Sequence, residues 1–182
     1  MIISFLPLAM LTTLLLATLL RLIAVKRGSG ITAWVGASAS GAGRTAGLFF
    51  AASLGFLGVS AAASARTGAI SLTGSALAVI GAAIAITAQI QMGRAWRIGV
   101  RPGDAPLLIE HGLYHYSRNP IYAGMILTGL GIALASGSPT AWGALTVFIL
   151  SSHVQIRIEE AHMQSNFGAA FTVFCKRVPR WI

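Results

Sequence analysis

Acidic side chains are almost missing from this chain. Its 182 residues hold four, Asp104, Glu110, Glu159 and Glu160, against 13 lysines and arginines, and charged residues of both signs make up only 9%. A soluble domain carries roughly 25%, and so few charges cannot clothe a surface in water. Most of the surface is expected to face lipid. Cysteine is as scarce: Cys175 stands alone, so it forms no disulfide within the chain, and nothing around it has metal-ligand spacing. No metal site is expected. A Gly-rich phosphate loop, a strand–turn–helix dinucleotide fingerprint and a His-Glu-x-x-His pair are also lacking. No Ser/His/Asp set is recognisable from spacing.

What is abundant is hydrocarbon. Hydrophobic residues make up 55% of the chain, and they fall in runs close to the roughly 20 residues a helix needs to cross a bilayer. Candidate spans are 2–25, 45–65, 70–91, 120–136 and 140–158. The fold class is therefore all-α, an integral membrane bundle of about five transmembrane helices. Residues 1–92 supply three spans. Residues 93–182 supply a polar segment over 93–119, a helical hairpin over 120–158 broken at Gly137-Ser138-Pro139, and a final helix lying at the membrane surface. Pro120 suits the first turn of the fourth helix, where its missing N–H costs nothing.

The net charge of +9 on a soluble protein would suggest nucleic acid. Here the basic residues sit between the apolar runs, and Arg66 alone falls on one side of a five-span topology. The positive-inside rule then puts the N-terminus outside, and the 26–44 loop, the 93–119 segment and the C-terminus in the cytoplasm. No nucleic-acid partner is expected; membrane lipids are. Residues 1–20 carry no charge and lack a basic n-region, so this stretch reads as a first membrane helix rather than a signal peptide. Small residues recur at Gly47, Ala51, Gly55 and Gly58, and again at Gly124, Thr128, Gly131 and Ala135, a pattern that favours close helix packing. The oligomeric state is left open.

Carboxylates within a membrane helix are costly and usually functional, so the adjacent Glu159 and Glu160 at the end of the fifth span stand out. His153, Arg157, Glu160 and Gln164 follow one another at steps of four, three and four, and share a helix face. That stripe is expected to face the protein interior, with Glu159 about 100° away from Glu160, capping a neighbour or meeting solvent. An Arg157–Glu160 pair that simply ends the helix is the alternative. The start of the fourth helix, after Arg118-Asn119, offers unpaired N–H groups that suit an anion.

In order, Gly93-Arg94-x-Trp96, Leu108-Ile109, Gly112-x-Tyr114, Arg118-x-Pro120-x-Tyr122-x-Gly124, Arg157-x-Glu159-Glu160, Phe167-Gly168 and Val178-Pro179-Arg180 resemble the isoprenylcysteine carboxyl methyltransferases and their phospholipid methyltransferase relatives. The resemblance covers about half of the chain, from Met92 to Arg180. It implies S-adenosyl-L-methionine as cofactor, S-adenosyl-L-homocysteine as product, and a lipophilic acceptor entering from the bilayer. It also implies a cofactor site of Arg101, Leu108, Ile109, Gly112, Tyr114, Asn119, Pro120, Tyr122, Glu159 and Glu160. Arg118, Arg157 and Glu160 become the catalytic candidates, and residues 93–182 a cytoplasmic C-terminal catalytic region. The chain departs from the family at Asn119, Leu113 and Pro106, where His, Pro and His are common, which leaves the acceptor's identity open.

Two other classes compete: an NADPH enzyme like the sterol reductases, and a membrane scaffold or small transporter without catalysis. The cofactor separates them. On the sequence reading, Glu160→Ala abolishes binding of S-adenosylhomocysteine to the detergent-purified protein, measured by calorimetry. Wild-type affinity in the variant would remove Glu160 from the site.

Overall fold

A computed structural model describes residues 2–29, 41–64, 66–96 and 107–181. Six α-helices account for most of them: α1 (Ile2–Ser29), α2 (Ala42–Ala62), α3 (Ala69–Met92), α4 (Pro120–Ser136), α5 (Pro139–Phe167) and α6 (Ala169–Arg177). Short 3₁₀ turns follow α3 at Gly93–Ala95 and precede α4 at Gly112–His115. No strand occurs among the described residues. Helices satisfy their own backbone hydrogen bonds, as a chain in hydrocarbon requires. Within α1 the stretch Phe5–Arg27 is long and apolar enough to cross a membrane, as are the whole of α2 and α3; α4 is apolar but has only 17 residues.

Two close packings set the bundle. Leu11, Leu57, Ile132 and Leu145 bring α1, α2, α4 and α5 into one core. Between α3 and α4 the contact is backbone on backbone. A Cβ added to Gly74 would lie 2.6 Å from the amide nitrogen of Ala135, and one added to Gly124 would lie 2.6 Å from that of Ala85. Gly81 and Gly131 are equally tight against Thr128 and Ala78. The expected small-residue stripe of α4 thus meets a matching stripe on α3, and the two helices run antiparallel. Without side chains in between, dispersion and close backbone approach hold them, the contact available where the surrounding solvent is itself apolar.

The corresponding expectation for α2 is corrected. Nothing approaches a Cβ on Gly47 or Gly55 within 4 Å, and Gly58 meets only Leu11 at 3.6 Å. Gly47, Ala51 and Gly55 lie on an exposed face beside Leu48 and Phe56. Spacing marks a face as smooth; it does not say which neighbour that face meets.

The chain alternates ends. At one end Ser64 donates to the carbonyl of Ala135 at 3.4 Å, and the side chain of Arg66 lies beside Gly137, whose φ of +63° closes α4 in the left-handed region. At the other end Arg21 donates to the carbonyl of Gly93 at 2.6 Å. The segment before α4, the last turns of α5 and the C-terminal strap, residues 178–181, gather there too. The C-terminal part differs from its expected form. Helix α5 does not stop near 158 but continues as one rod to Phe167, and the chain turns only at Gly168, φ +51°. Helix α6 then packs Phe171, Phe174 and Val178 on Leu108, Met163 and Phe167.

Gly81→Ala forces a methyl into the α4 backbone and should cost about 1–3 kcal/mol, whereas Gly55→Ala points into open space. Thermal unfolding in detergent should show a lowered midpoint for the first and none for the second.

Candidate functional site

The polar end of the bundle encloses a cavity of about 120 Å³ between the end of α3, the 107–119 segment, α5 and α6. Apolar walls come from Leu108, Ile109, Met163, Phe171 and Phe174; polar groups come from Arg118, Asn119, Glu159, Glu160 and His162.

Local structure explains how each wall is held. Gly112 adopts φ +62°, a conformation that side-chain-bearing residues rarely take, and Gln91 fills the space a Cβ would need. The Gln91 Oε1 accepts from the amide of Leu113 at 2.8 Å, tying the 3₁₀ turn to α3. That turn delivers Tyr114 to the cavity, where its buried hydroxyl faces the carbonyl of Ala88 at 3.4 Å. Burial, with the Glu159 charge adding to it, pushes the Tyr114 phenol well above its usual range, so it stays protonated. Downstream, the loop into α4 is laced to the C-terminal strap. The amide of Arg118 donates to the carbonyl of Pro179 at 3.0 Å. Ser117 and Asn119 side chains both donate to the carbonyl of Arg180, at 3.3 and 3.2 Å.

At the centre is a clasp. Arg180 grips Glu160 with two donors, Nε to Oε1 at 3.1 Å and a terminal nitrogen to Oε2 at 2.6 Å. Arg118 approaches Oε1 from the other side at 3.2 Å. The side chains of Arg118 and Glu160 are only 13% and 17% exposed, so the pair is poorly screened. Two cations thus neutralise Glu160. Glu159 stands apart: its Oε1 accepts from the Tyr122 hydroxyl at 2.8 Å and from Gln155 at 3.4 Å. Phe50 of α2 packs edge-on against the Tyr122 ring. Among the described residues the Nε of Arg118 is buried with no hydrogen-bond partner.

The sequence-derived residues divide. Leu108, Ile109, Tyr114, Arg118, Asn119, Glu159 and Glu160 converge on the cavity. Pro120 is buried in the first turn of α4, and Gly112 packs on Gln91; neither lines the cavity. Tyr122 stands behind the wall and holds Glu159. Arg101 lies outside the described residues. Arg157 is corrected: it is exposed and donates from Nε to His153 Nε2 at 3.1 Å, away from the cavity and from Glu160. The inward-facing stripe is corrected with it, since His153 and Gln164 are exposed too. At about 100° per residue, the cavity face of α5 is centred near Glu159 and Met163. Glu160 sits at its edge, and the rest of the stripe lies beyond. At the polar end of the bundle such a stripe has water to face and no reason to turn inward.

Met92, Ala95, Leu107, His162, Met163, Phe171 and Phe174 also line the cavity and escaped the sequence reading. So did the role of Arg180. Phe171, Phe174 and Val178, at helical spacing, were the available clue that α6 covers something.

The phospholipid methyltransferase family matches residues 69–170, more than half of the chain. Similar curated proteins include protein-S-isoprenylcysteine O-methyltransferase B of Arabidopsis thaliana, 26% identical over 113 residues, 60% of this chain and 57% of that protein. The protein-S-isoprenylcysteine O-methyltransferase of Schizosaccharomyces pombe is 29% identical over 100 residues, 53% of this chain and 42% of its own length. A probable protein-S-isoprenylcysteine O-methyltransferase of Oryza sativa subsp. indica is 26% identical over 112 residues, covering 60% and 59%. The chain thus spans about half the length of the curated relatives it matches.

Removing the clasp leaves Arg118 partly buried without its counter-charge. Glu160→Gln should lower stability by about 1–3 kcal/mol, while Arg177→Ala, which breaks the exposed Arg177–Glu110 pair, should cost under about 1 kcal/mol. Unfolding curves of both variants in one detergent check the order.

Proposed function

The chain belongs to the phospholipid methyltransferase family, and on that footing we propose that it is an S-adenosylmethionine-dependent methyltransferase acting within the membrane on a lipophilic acceptor. The observation that carries the reading is the asymmetry of the two glutamates. Glu160 is neutralised by Arg118 and Arg180, whereas Glu159 lines the cavity with only neutral donors, Tyr122 and Gln155, on it. A carboxylate so placed calls for a cation.

The residues present fit such a cofactor. Glu159 would hold the ammonium or stand near the sulfonium, and the orphaned Nε of Arg118 would take the carboxylate as a charge-assisted bond. Leu108, Ile109, Met163, Phe171 and Phe174 give an apolar bed for the purine. When bound, the cofactor supplies a methyl group already activated for displacement. The chain's part is then to position and to dry the site. Tyr122 and Gln155 fix the Glu159 carboxylate, the clasp closes the strap over the 117–119 loop, and α6 excludes water. With Tyr114 held protonated, it does not serve as a base. A carboxylate acceptor needs none, which suits a prenylcysteine-type group like those named for the relatives, or another lipid-like anion.

We place this polar end in the cytoplasm, since on the five-span reading every lysine and arginine but Arg66 is assigned to its side of the membrane, and the positive-inside rule orients the bundle accordingly. On that reading α4 and the apolar part of α5 are the fourth and fifth spans.

Glu159→Gln keeps the shape and the clasp while deleting the free charge. It should weaken S-adenosylhomocysteine binding about 10- to 100-fold, the loss of one charge-assisted bond, with an unfolding midpoint near that of the wild type. Unaltered affinity in the variant would sink the assignment of Glu159; a folded wild type that binds no S-adenosylhomocysteine would sink the methyltransferase reading.

A further inference from the structure

A second concavity lies on the outer side of the bundle, on α3, α4 and α5, and shares no lining residue with the cavity. It is a groove of about 480 Å³ whose walls are Ile84, Ile126, Leu127, Leu130 and Ile149, with Ala123 at its floor. From Ala123 to Leu130 it follows α4 for about 10 Å at 1.5 Å per residue, starting near the polar end of the bundle and running toward its middle. At that polar end two side chains line it, His153 of α5 and Trp181 of the strap. Trp181 follows directly on Arg180, so the grip of Arg180 on Glu160 also fixes where the indole sits. Tryptophan is favoured at the level of lipid headgroups.

A cation stands one helical turn beyond the groove's polar end. Arg157, one turn beyond His153, spends its Nε on the His153 ring at 3.1 Å. Its terminal nitrogens have no protein partner among the described residues. The nearby carboxylates are already engaged, Glu160 by Arg118 and Arg180 and Glu159 by Tyr122 and Gln155. An apolar groove with a guanidinium beyond its polar end, whose terminal nitrogens are free among the described residues, complements one kind of molecule, an amphiphile with an anionic head. The groove and the cavity are lined by different residues.

We propose that this groove holds a resident anionic phospholipid of the bilayer, its chain along α4 and its phosphate on Arg157 with His153 behind it. The assignment does not depend on methyl transfer, and its readout is not activity. The full chain is reconstituted in nanodiscs with equal amounts of phosphatidylglycerol and phosphatidylcholine of the same acyl chains. Lipids retained after release are then weighed by native mass spectrometry. Phosphatidylglycerol should be retained about fivefold over phosphatidylcholine, the effect of one basic residue near the surface. Arg157→Gln, on an exposed position, should bring the ratio to one, and Arg157→Lys should keep it. Leu127→Trp, which fills the groove, should lose both lipids. Equal retention by the wild type, or a preference that survives Arg157→Gln, overturns the proposal. So does release of phosphatidylglycerol by N-acetyl-S-farnesylcysteine, which would make the groove a binding place for the acceptor instead.

Discussion

One carboxylate, Glu160, joins three stretches of chain that are distant in sequence. Arg118 brings the loop that starts α4, Arg180 brings the strap that ends the fold, and Glu160 itself belongs to α5. The side chains are mostly withdrawn from water, so their attraction is weakly screened and a missing partner would leave an uncompensated charge. The hydrogen bonds from 117–119 to the carbonyls of Pro179 and Arg180 accompany the same closure. The clasp thus adds a charged tie to the apolar packing of Phe171, Phe174 and Val178 that seats α6 over the cavity.

The clasp works only because α4 is held at a set depth. That setting comes from the glycine contact between α3 and α4, where backbone meets backbone and any added methyl collides. An interface of this kind does not slide, since interdigitated backbones offer no softer register. It places Asn119 and Arg118 at the end of α3, where Gln91 also receives the turn carrying Tyr114. Packing in the apolar part of the bundle thus fixes polar geometry at its end.

Helix α5 presents two different faces at that end. One carries Glu159 and Met163 toward the cavity; the other carries His153 and Arg157 outward, with His153 on the apolar groove. The two glutamates are adjacent in sequence yet have different surroundings. Both line the cavity, but Glu160 lies between two cations, while Glu159 has only neutral donors on it. Rotation of about 100° per residue is enough to separate these roles.

The sequence by itself determined the helical class, the apolar runs that became α1 to α4, the break at 137–139 and most of the polar residues that line the cavity. Those features are local: hydropathy needs only composition, a proline at a helix start needs only its own ring, and Leu108, Tyr114, Asn119 and Glu159 lie in motifs short enough to be read in one dimension. Tertiary structure alone decided which way those residues point. The sequence places Arg157 and Glu160 on one helical face but cannot say that the face meets solvent, because a polar stripe at the end of a span is satisfied equally by water or by protein. It marks the small residues of α2 and α4 alike, yet only those of α4 meet a partner, since smoothness permits contact without choosing a neighbour. Nor could it pair Arg180 with Glu160 across the turn at Gly168, for an ion pair depends on where the chain returns, and that is set by packing around it.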